Sequence, residues 1–390
     1  MMHSDKIKDN RYLSKKHVTA LAKVHDQHCV SIYLPKSHVG DVNNKDHVRL
    51  QLKNKLKSLH AGLSHYGLSH TEINDYLEPV YKLLEEDSLW RNQHDCLAIF
   101  LHNHTLNYFF LNGEYQEISY VADHFYLKPI LSQFDGNGRF FLLALSLGSV
   151  QLFEGNAHQI VPIDVEAFLP EKLEDIVGHD FQEKSLQFRT GQSGTIFHGQ
   201  GVGKDDKHKE TEKYFRAVDK GLIKILNGDN VPLILACVDE HYPVYAKVTR
   251  YQNLFSKHIS GNAENADLSS LHSGAWNLIE GTFRENRDKA RNAFKNLSSG
   301  EKTSIDLNDI IPAAIDGRVS SLFMQDRKDR FGLYDKTNRT LLIDEKPGFM
   351  QASLYNLAAV HTWLNNGRVF IETGSDMPFP GSEINAMFRY

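Results

Sequence analysis

The sequence predicts an α/β protein of three successive segments, 1–135, 136–262 and 263–390. Two observations carry this reading. Short apolar β-type runs alternate with helix-periodic stretches along the whole length. Two turn-forming clusters, Asp135-Gly136-Asn137-Gly138 and Ser260-Gly261-Asn262, interrupt that alternation. A chain of 390 residues has room for several domains.

In the first segment Tyr12 to His25 reads as a helix and Val30 to Pro35 as a strand. Two further helices follow, Asp46 to Leu63 and Thr71 to Glu86, with Thr71 as the expected N-cap. The runs CLAIFLH and LNYFFL then read as strands. The second segment opens with FFLLALSLGSVQLFEGNAHQIVPI, apolar runs parted by turns, which is the pattern of a hairpin or meander. Phe215, Val218, Leu222, Ile225 and Leu226 recur at helical spacing, so Asp205 to Leu226 is an amphipathic helix. VPLILACVD after it reads as a buried strand. The third segment begins with a long helix, Leu268 to Leu297, whose apolar stripe is Trp276, Ile279, Phe283, Ala290, Phe294 and Leu297. Helix and strand alternate beyond it: helix Asp309 to Asp316, strands SSLFM and TLLID, helix Ser353 to Leu364, strand RVFIET.

A hydrophobic content of 41% with 24% charged residues is that of a globular protein with a packed core. Net charge is −5, so any nucleic-acid surface has to be a local patch. No run approaches the ~18 apolar residues of a membrane span, and the first ten residues lack the apolar centre of a signal peptide. Cys96 and Cys237 lie inside apolar runs, as buried thiols of a reducing compartment do. These features point to a cytoplasmic protein without membrane contact.

The segment from Phe188 to Leu226 stands out. Gly191, Gly194, Gly199, Gly201 and Gly203 make a backbone that can visit positive φ, and the chain then enters a charged helix. Gln192 and Gln200 each follow a glycine in this loop, offering an amide with one acceptor and two donor hydrogens. The loop is not a nucleotide P-loop. His198 stands at the first-glycine position, and Asp205 replaces the hydroxyl that would hold magnesium. GQSGT lacks the final glycine of a hydrolase elbow. The His-Asp pairs at His25, His94 and His179 are close to the number that chance gives among 21 histidines, and two of the three lie outside a convincing helix. No cysteine or carboxylate cluster joins His25/His28 or His102/His104 at zinc spacing. Neither a metal nor a cofactor is expected.

Two other groups of residues are candidates. Asp239, Glu240 and His241 directly follow the buried strand LILAC, and the carboxyl ends of strands are where α/β domains build sites. A solvated turn explains them as well. Arg284, Arg287, Arg291 and Lys295 recur at three- and four-residue steps as one basic ridge, suited to phosphates. A solvated face balanced by Glu285 and Asp288 is the competing explanation.

The order TGQS, DDKHKETEKYFRAVDKGL, PLILACVDEHYPVYAKVTRYQNLFSKHISGN resembles the middle domain of archaeo-eukaryotic class-I release factors and Pelota, and most of all that of their bacterial relatives. YNLAAVHTWLNNGRVFIETGSDMP, ending in INAMFRY, is similar to the last domain of those bacterial proteins. The resemblance runs from Phe140 to Tyr390. It implies a ribonuclease-H-like middle domain and a C-terminal domain resembling kink-turn-binding ribosomal proteins. It also implies a Gly-Gly-Gln loop of the kind that enters the peptidyl-transferase centre, where glutamine helps water attack the peptidyl-tRNA ester. Gly191, Gln192 and Ser193 match that loop, with Gln200 as the fallback glutamine. Thr190 stands at the first glycine, and a β-branched residue resists positive φ, which counts against peptide release. The function implied is a translation factor on the ribosome or structured RNA, in rescue or stalling, with a translational GTPase as possible partner. A metal-dependent hydrolase of RNA or nucleotides, using Asp239, Glu240 and His241, is the alternative from another class; a stress-related interaction scaffold is a third.

Overall fold

The computed structural model describes residues 13–36, 44–87, 89–91, 95–134, 138–165, 168–170, 172–173, 176, 202–226, 231–298, 300–344 and 352–390. Its contacts divide the chain into two compact units, one formed by residues 1–137 with 283–390, the other by 138–282.

The first unit begins with helix α1 (Lys15–Ala22), capped by Ser14, whose hydroxyl accepts from His17 N–H. Strand β1 (Cys29–Pro35) follows, then helices α2 (Asn44–His65) and α3 (His70–Glu85). The N-cap of α3 is Ser69 rather than Thr71: its hydroxyl accepts from Glu72 N–H and the Glu72 carboxylate accepts from Ser69 N–H, a reciprocal box. Strands β2 (Cys96–His102), β3 (Thr105–Leu111) and β4 (Ile118–Ala122) complete an antiparallel sheet in the order β3-β2-β1-β4, and helix α4 (Lys128–Phe134) follows it. Strand alternation sends successive side chains to opposite faces, and in β1 both faces are buried. Val30, Ile32 and Leu34 pack with Leu52, Leu56, Leu59 and Leu63 of α2. Cys29 and Tyr33 enter a second core, to which the far C-terminal residues contribute.

The second unit is built on a five-stranded sheet. Strands β5 (Phe140–Leu145), β6 (Val150–Gly155) and β7 (Ile160–Ile163) form an antiparallel meander. Helix α5 (Val202–Ile225) leads to β8 (Leu233–Cys237), helix α6 (His241–Val248) and the two-residue β9 (Ile259–Ser260). The sheet order is β7-β6-β5-β8-β9, with β8 parallel to β5 and β9 parallel to β8. Phe215, Val218 and Leu222 of α5 are buried with Tyr245 of α6 and alternate residues of β5 and β8. Asp219, on the same helix, is buried as well. Its carboxylate accepts from Thr249 Oγ1 at 2.8 Å and from the Arg250 backbone and side chain at 3.2 Å, fixing the turn that ends α6.

Helix α7 (Leu268–Leu297) buries Leu271, Ala275 and Ile279 in its first half, and Phe283, Ala290 and Phe294 in its second, which belongs to the first unit. Leu297, expected on the stripe, is exposed. The remaining elements are β10 (Thr303–Ser304), α8 (Leu307–Ile315), β11 (Val319–Gln325), β12 (Phe331–Asp335), β13 (Thr340–Asp344), β14 (Ala352–Ser353), α9 (Leu354–Leu364), β15 (Arg368–Glu372) and β16 (Ile384–Phe388). They make a mixed sheet, β10-β16-β11-β15, and a small ribbon, β13-β12-β14. Phe294 of α7 packs on the mixed sheet against Phe323 and Phe370, which are paired in register and stacked at 4.7 Å.

Helices α8 and α9 share their core with β1 to β4 and α4, so residues 13–131 and 307–388 are held by one apolar cluster. A polar seam runs through it. Asn356 of α9 accepts from Leu127 N and Lys128 N at 2.7 and 2.9 Å and donates to the Phe125 carbonyl at 2.9 Å. Tyr126 donates to Asp329 at 2.7 Å, and Ser353 Oγ donates to the same carboxylate at 2.6 Å. Buried polar groups so satisfied cost little, whereas removing one partner leaves the others orphaned.

Candidate functional site

Strands β5, β8 and β9 of the second unit run parallel and end on the same side, so the loops after them bring polar groups to one edge. After β8, the Asp239 carboxylate accepts from Ser260 Oγ at 2.5 Å and pairs with His258 Nε2 at 3.0 Å. The Ser260 hydroxyl first, then His258, hold that carboxyl below the usual range. His258 lies flat on Tyr242, centroids 4.7 Å apart, and Tyr242 OH donates to the Phe255 carbonyl at 2.9 Å. Glu240 is exposed at the start of α6 and makes no capping bond. His241 turns the other way, edge-on to Phe215 of α5 at 5.3 Å. Burial lowers its pKa, and its Nδ1 has no hydrogen-bond partner among the described residues.

Asp239, Glu240 and His241 are thus neighbours in sequence that diverge in space. Both Ser260 and His258 engage the same oxygen of Asp239, so no relay passes from carboxylate through imidazole to hydroxyl. Among the described residues no group of three or more His, Cys, Asp or Glu is arranged to hold a metal ion.

The loop after β5 belongs to the same edge and was not singled out from the sequence. Ser146 Oγ donates to Glu264 Oε1 at 2.5 Å and accepts from Gly148 N and Ser149 N at 3.0 and 2.8 Å. A Cβ on Gly148 would stand 2.5 Å from Glu264 Oε1, so a side chain there would displace the carboxylate from Ser146. The turn signal in SLGS is visible in the sequence, but its partner Glu264 is 118 residues away.

Gly191, Gln192 and Gln200 lie outside the described residues, as does Thr190; α5 begins just beyond them, at Val202. The basic ridge lies on the second half of α7. Arg287 Nε is 3.6 Å and Arg291 Nη2 3.4 Å from the carboxylate of Glu372, at the end of β15, while Arg291 also reaches Asp288 at 3.1 Å. Only 3% of the Glu372 side chain is exposed; burial raises its pKa, opposed by the two arginines. Arg284 and Lys295 are exposed. Four residues in one sequence pattern therefore split, two bound to a buried carboxylate and two facing solvent.

Residues 140–281 match the family model described as bacterial archaeo-eukaryotic release factor family 7. No curated protein matches the chain significantly. Among solved structures, the chain is similar to the archaeal translation termination factor aRF1 at 10% identity and a TM-score of 0.24, with 98% of this chain and 100% of that one covered. It is similar to S. cerevisiae Dom34, a translation termination-like factor involved in RNA quality control and interacting with Hbs1, at 12% identity and a TM-score of 0.34, with 76% and 79% covered. A ribosome-bound archaeal Pelota, in a model with ABCE1, gives 9% identity and a TM-score of 0.31, with 76% and 77% covered. The matched segment begins at Phe140, the first residue of β5, and takes in the whole sheet of the second unit with the first half of α7. Over residues 140–281 the chain is similar to bacterial archaeo-eukaryotic release factor family 7.

Proposed function

We propose that this protein is a translation factor that associates with the ribosome or structured RNA, in rescue or stalling, without efficient peptide release. The observation that carries the proposal is the release-factor family domain at residues 140–281. Two features of the fold support it. The order β7-β6-β5-β8-β9, an antiparallel meander extended by two parallel strands, supports the reading of this unit as ribonuclease-H-like. The mixed C-terminal sheet with α8 and α9 supports the likeness to kink-turn-binding ribosomal proteins. Gln192, with Gln200 as second candidate, is the residue proposed to reach the peptidyl-tRNA ester, and Thr190 is the reason release is slow. A translational GTPase is part of the same proposal as a partner. The exposed members of the α7 ridge, Arg284 and Lys295, are proposed as auxiliary phosphate contacts.

The alternative, a metal-dependent hydrolase at Asp239, Glu240 and His241, has no converging carboxylates behind it among the described residues. Co-sedimentation of the full-length protein with 70S ribosomes at graded salt tests the proposal. Binding that weakens steeply with salt is expected, together with little release of peptide from a stalled complex. Gln192→Ala should bind as wild type does. Absence of ribosome and RNA binding at low salt overturns the proposal; cleavage of free RNA dependent on divalent cations would establish the hydrolase instead.

A further inference from the structure

Helix α2 has an outward face that the fold does not use. Its inner stripe, Val48, Leu52, Leu56, Leu59 and Leu63, is buried in the first unit. The opposite face carries Leu50, Lys53, Asn54, Lys57, Ser58, Ala61 and Ser64, all exposed. The helix contains Lys45, Arg49, Lys53, Lys55 and Lys57 against one acid, Asp46, in a chain whose net charge is −5. Arg49 is 3.5 Å from the exposed Asp87, and Lys55 is 2.9 Å from Glu117. Lys53 and Lys57 make no ion pair with any described residue.

Spacing makes this arrangement unfavourable in the isolated protein. Arg49, Lys53 and Lys57 stand at successive four-residue steps, about 6 Å of helix rise each, and like charges so placed repel. Solvated helix faces ordinarily alternate sign to avoid this. A polyanion laid along the helix removes the repulsion and releases its own counterions. We infer that Lys53 and Lys57 on the outward face of α2, with the half-buried Arg49 at its margin, bind the phosphate backbone of RNA. The inference rests on the reading of the protein as RNA-associated, and names the surface. Asn54 and Ser64 beside the cations supply hydrogen-bonding groups for phosphate and ribose. An anionic membrane is disfavoured, because the apolar side of the helix is buried in the protein and Leu50 is the one large apolar side chain of α2 exposed among the described residues. An acidic peptide is disfavoured because the described residues of this face include no aromatic anchor.

The test uses full-length protein, a fluorescently labelled RNA hairpin and 70S ribosomes, each titrated across a range of KCl. Arg49→Gln/Lys53→Gln/Lys57→Gln should lower the slope of log affinity against log salt by about 2, with the melting temperature kept or raised. If the half-buried Arg49 makes that variant unstable, Lys53→Gln/Lys57→Gln serves, with a slope lowered by about 1.5. Wild-type binding with an unchanged slope in the stable variant overturns the α2 surface and leaves the broader reading standing. Displacement by polyglutamate as effective as by RNA of equal charge overturns it in favour of an acidic protein. Wild-type protein that binds neither hairpin nor ribosome overturns both.

Discussion

Two helices of the first unit present cations at the same helical spacing, and their surroundings give them different work. On the second half of α7, Arg287 and Arg291 converge on Glu372, a carboxylate nearly sealed from solvent, while Lys289 has Glu285 four residues before it. On α2, Lys53 and Lys57 face solvent with no ion-pair partner among the described residues, and the only acid in the sequence of the helix is Asp46. The α7 arginines hold a helix against the end of a strand. On α2, Arg49 meets the exposed Asp87 and Lys55 meets Glu117, while Lys53 and Lys57 make no ion pair with any described residue. A basic ridge in a sequence is therefore only a candidate; the carboxylate that neutralises it can come from elsewhere, here 81 residues on from Arg291.

The largest effect that would break or sharpen this contrast is on stability. Glu372→Ala removes the partner of two arginines and should cost about 2 to 3 kcal/mol, less than a fully enclosed pair because 42% of the Arg287 side chain is exposed. Lys53→Ala/Lys57→Ala should change stability by under about 0.5 kcal/mol, and in the stabilising direction, as the like-charge pairs Arg49/Lys53 and Lys53/Lys57 are relieved. Urea unfolding of both variants decides; equal losses would mean that the two helices are not different in kind.

A smaller effect is on pH dependence. Because burial raises the Glu372 pKa above 4.5, ionisation costs the folded state more than the unfolded one. Its contribution to stability is therefore fully present below about pH 4.5 and is lost as pH rises through the raised value. Relative to Glu372→Gln, wild type should gain stability as pH falls through that window, whereas Lys53→Gln/Lys57→Gln should track wild type throughout. A difference between wild type and Glu372→Gln that stays flat across this window would remove the case for a perturbed carboxylate.

The smallest effect is on binding through α7. Arg284→Gln/Lys295→Gln should lower the salt slope by no more than about 1, below the effect of the α2 variant in the same titration. A larger drop would move the principal RNA contact to α7.

Much of the architecture was legible in the residues. Strand β1 was visible because six consecutive apolar or small side chains precede Pro35, and α5 because Phe215, Val218 and Leu222 fall on one face. Strands β4 and β16 were missed; each is five residues long, and β4 alternates buried with half-buried side chains without a continuous apolar run. Thr71 looked like the cap of α3, but Ser69 holds that place because Glu72 lies three residues after it and closes the box. At the candidate site, Asp239 was visible as an acid behind a buried strand. His258 and Ser260, which engage it, were not, since nothing local marks residues 19 and 21 positions away as its partners.

What the sequence determined by itself was local and periodic: the α/β alternation, the apolar stripes, the glycine-rich approach to α5, and an order of motifs that resembles release factors. Periodicity reports which face of an element is buried, not what buries it. Only the tertiary structure decided that Tyr33 and Cys29 share a core with α8 and α9, that Asp239 and His241 point apart, and that Arg287 and Arg291 are occupied by Glu372 while Lys53 and Lys57 are not. Each of these depends on groups far apart in the chain, and burial and charge act through distance in space.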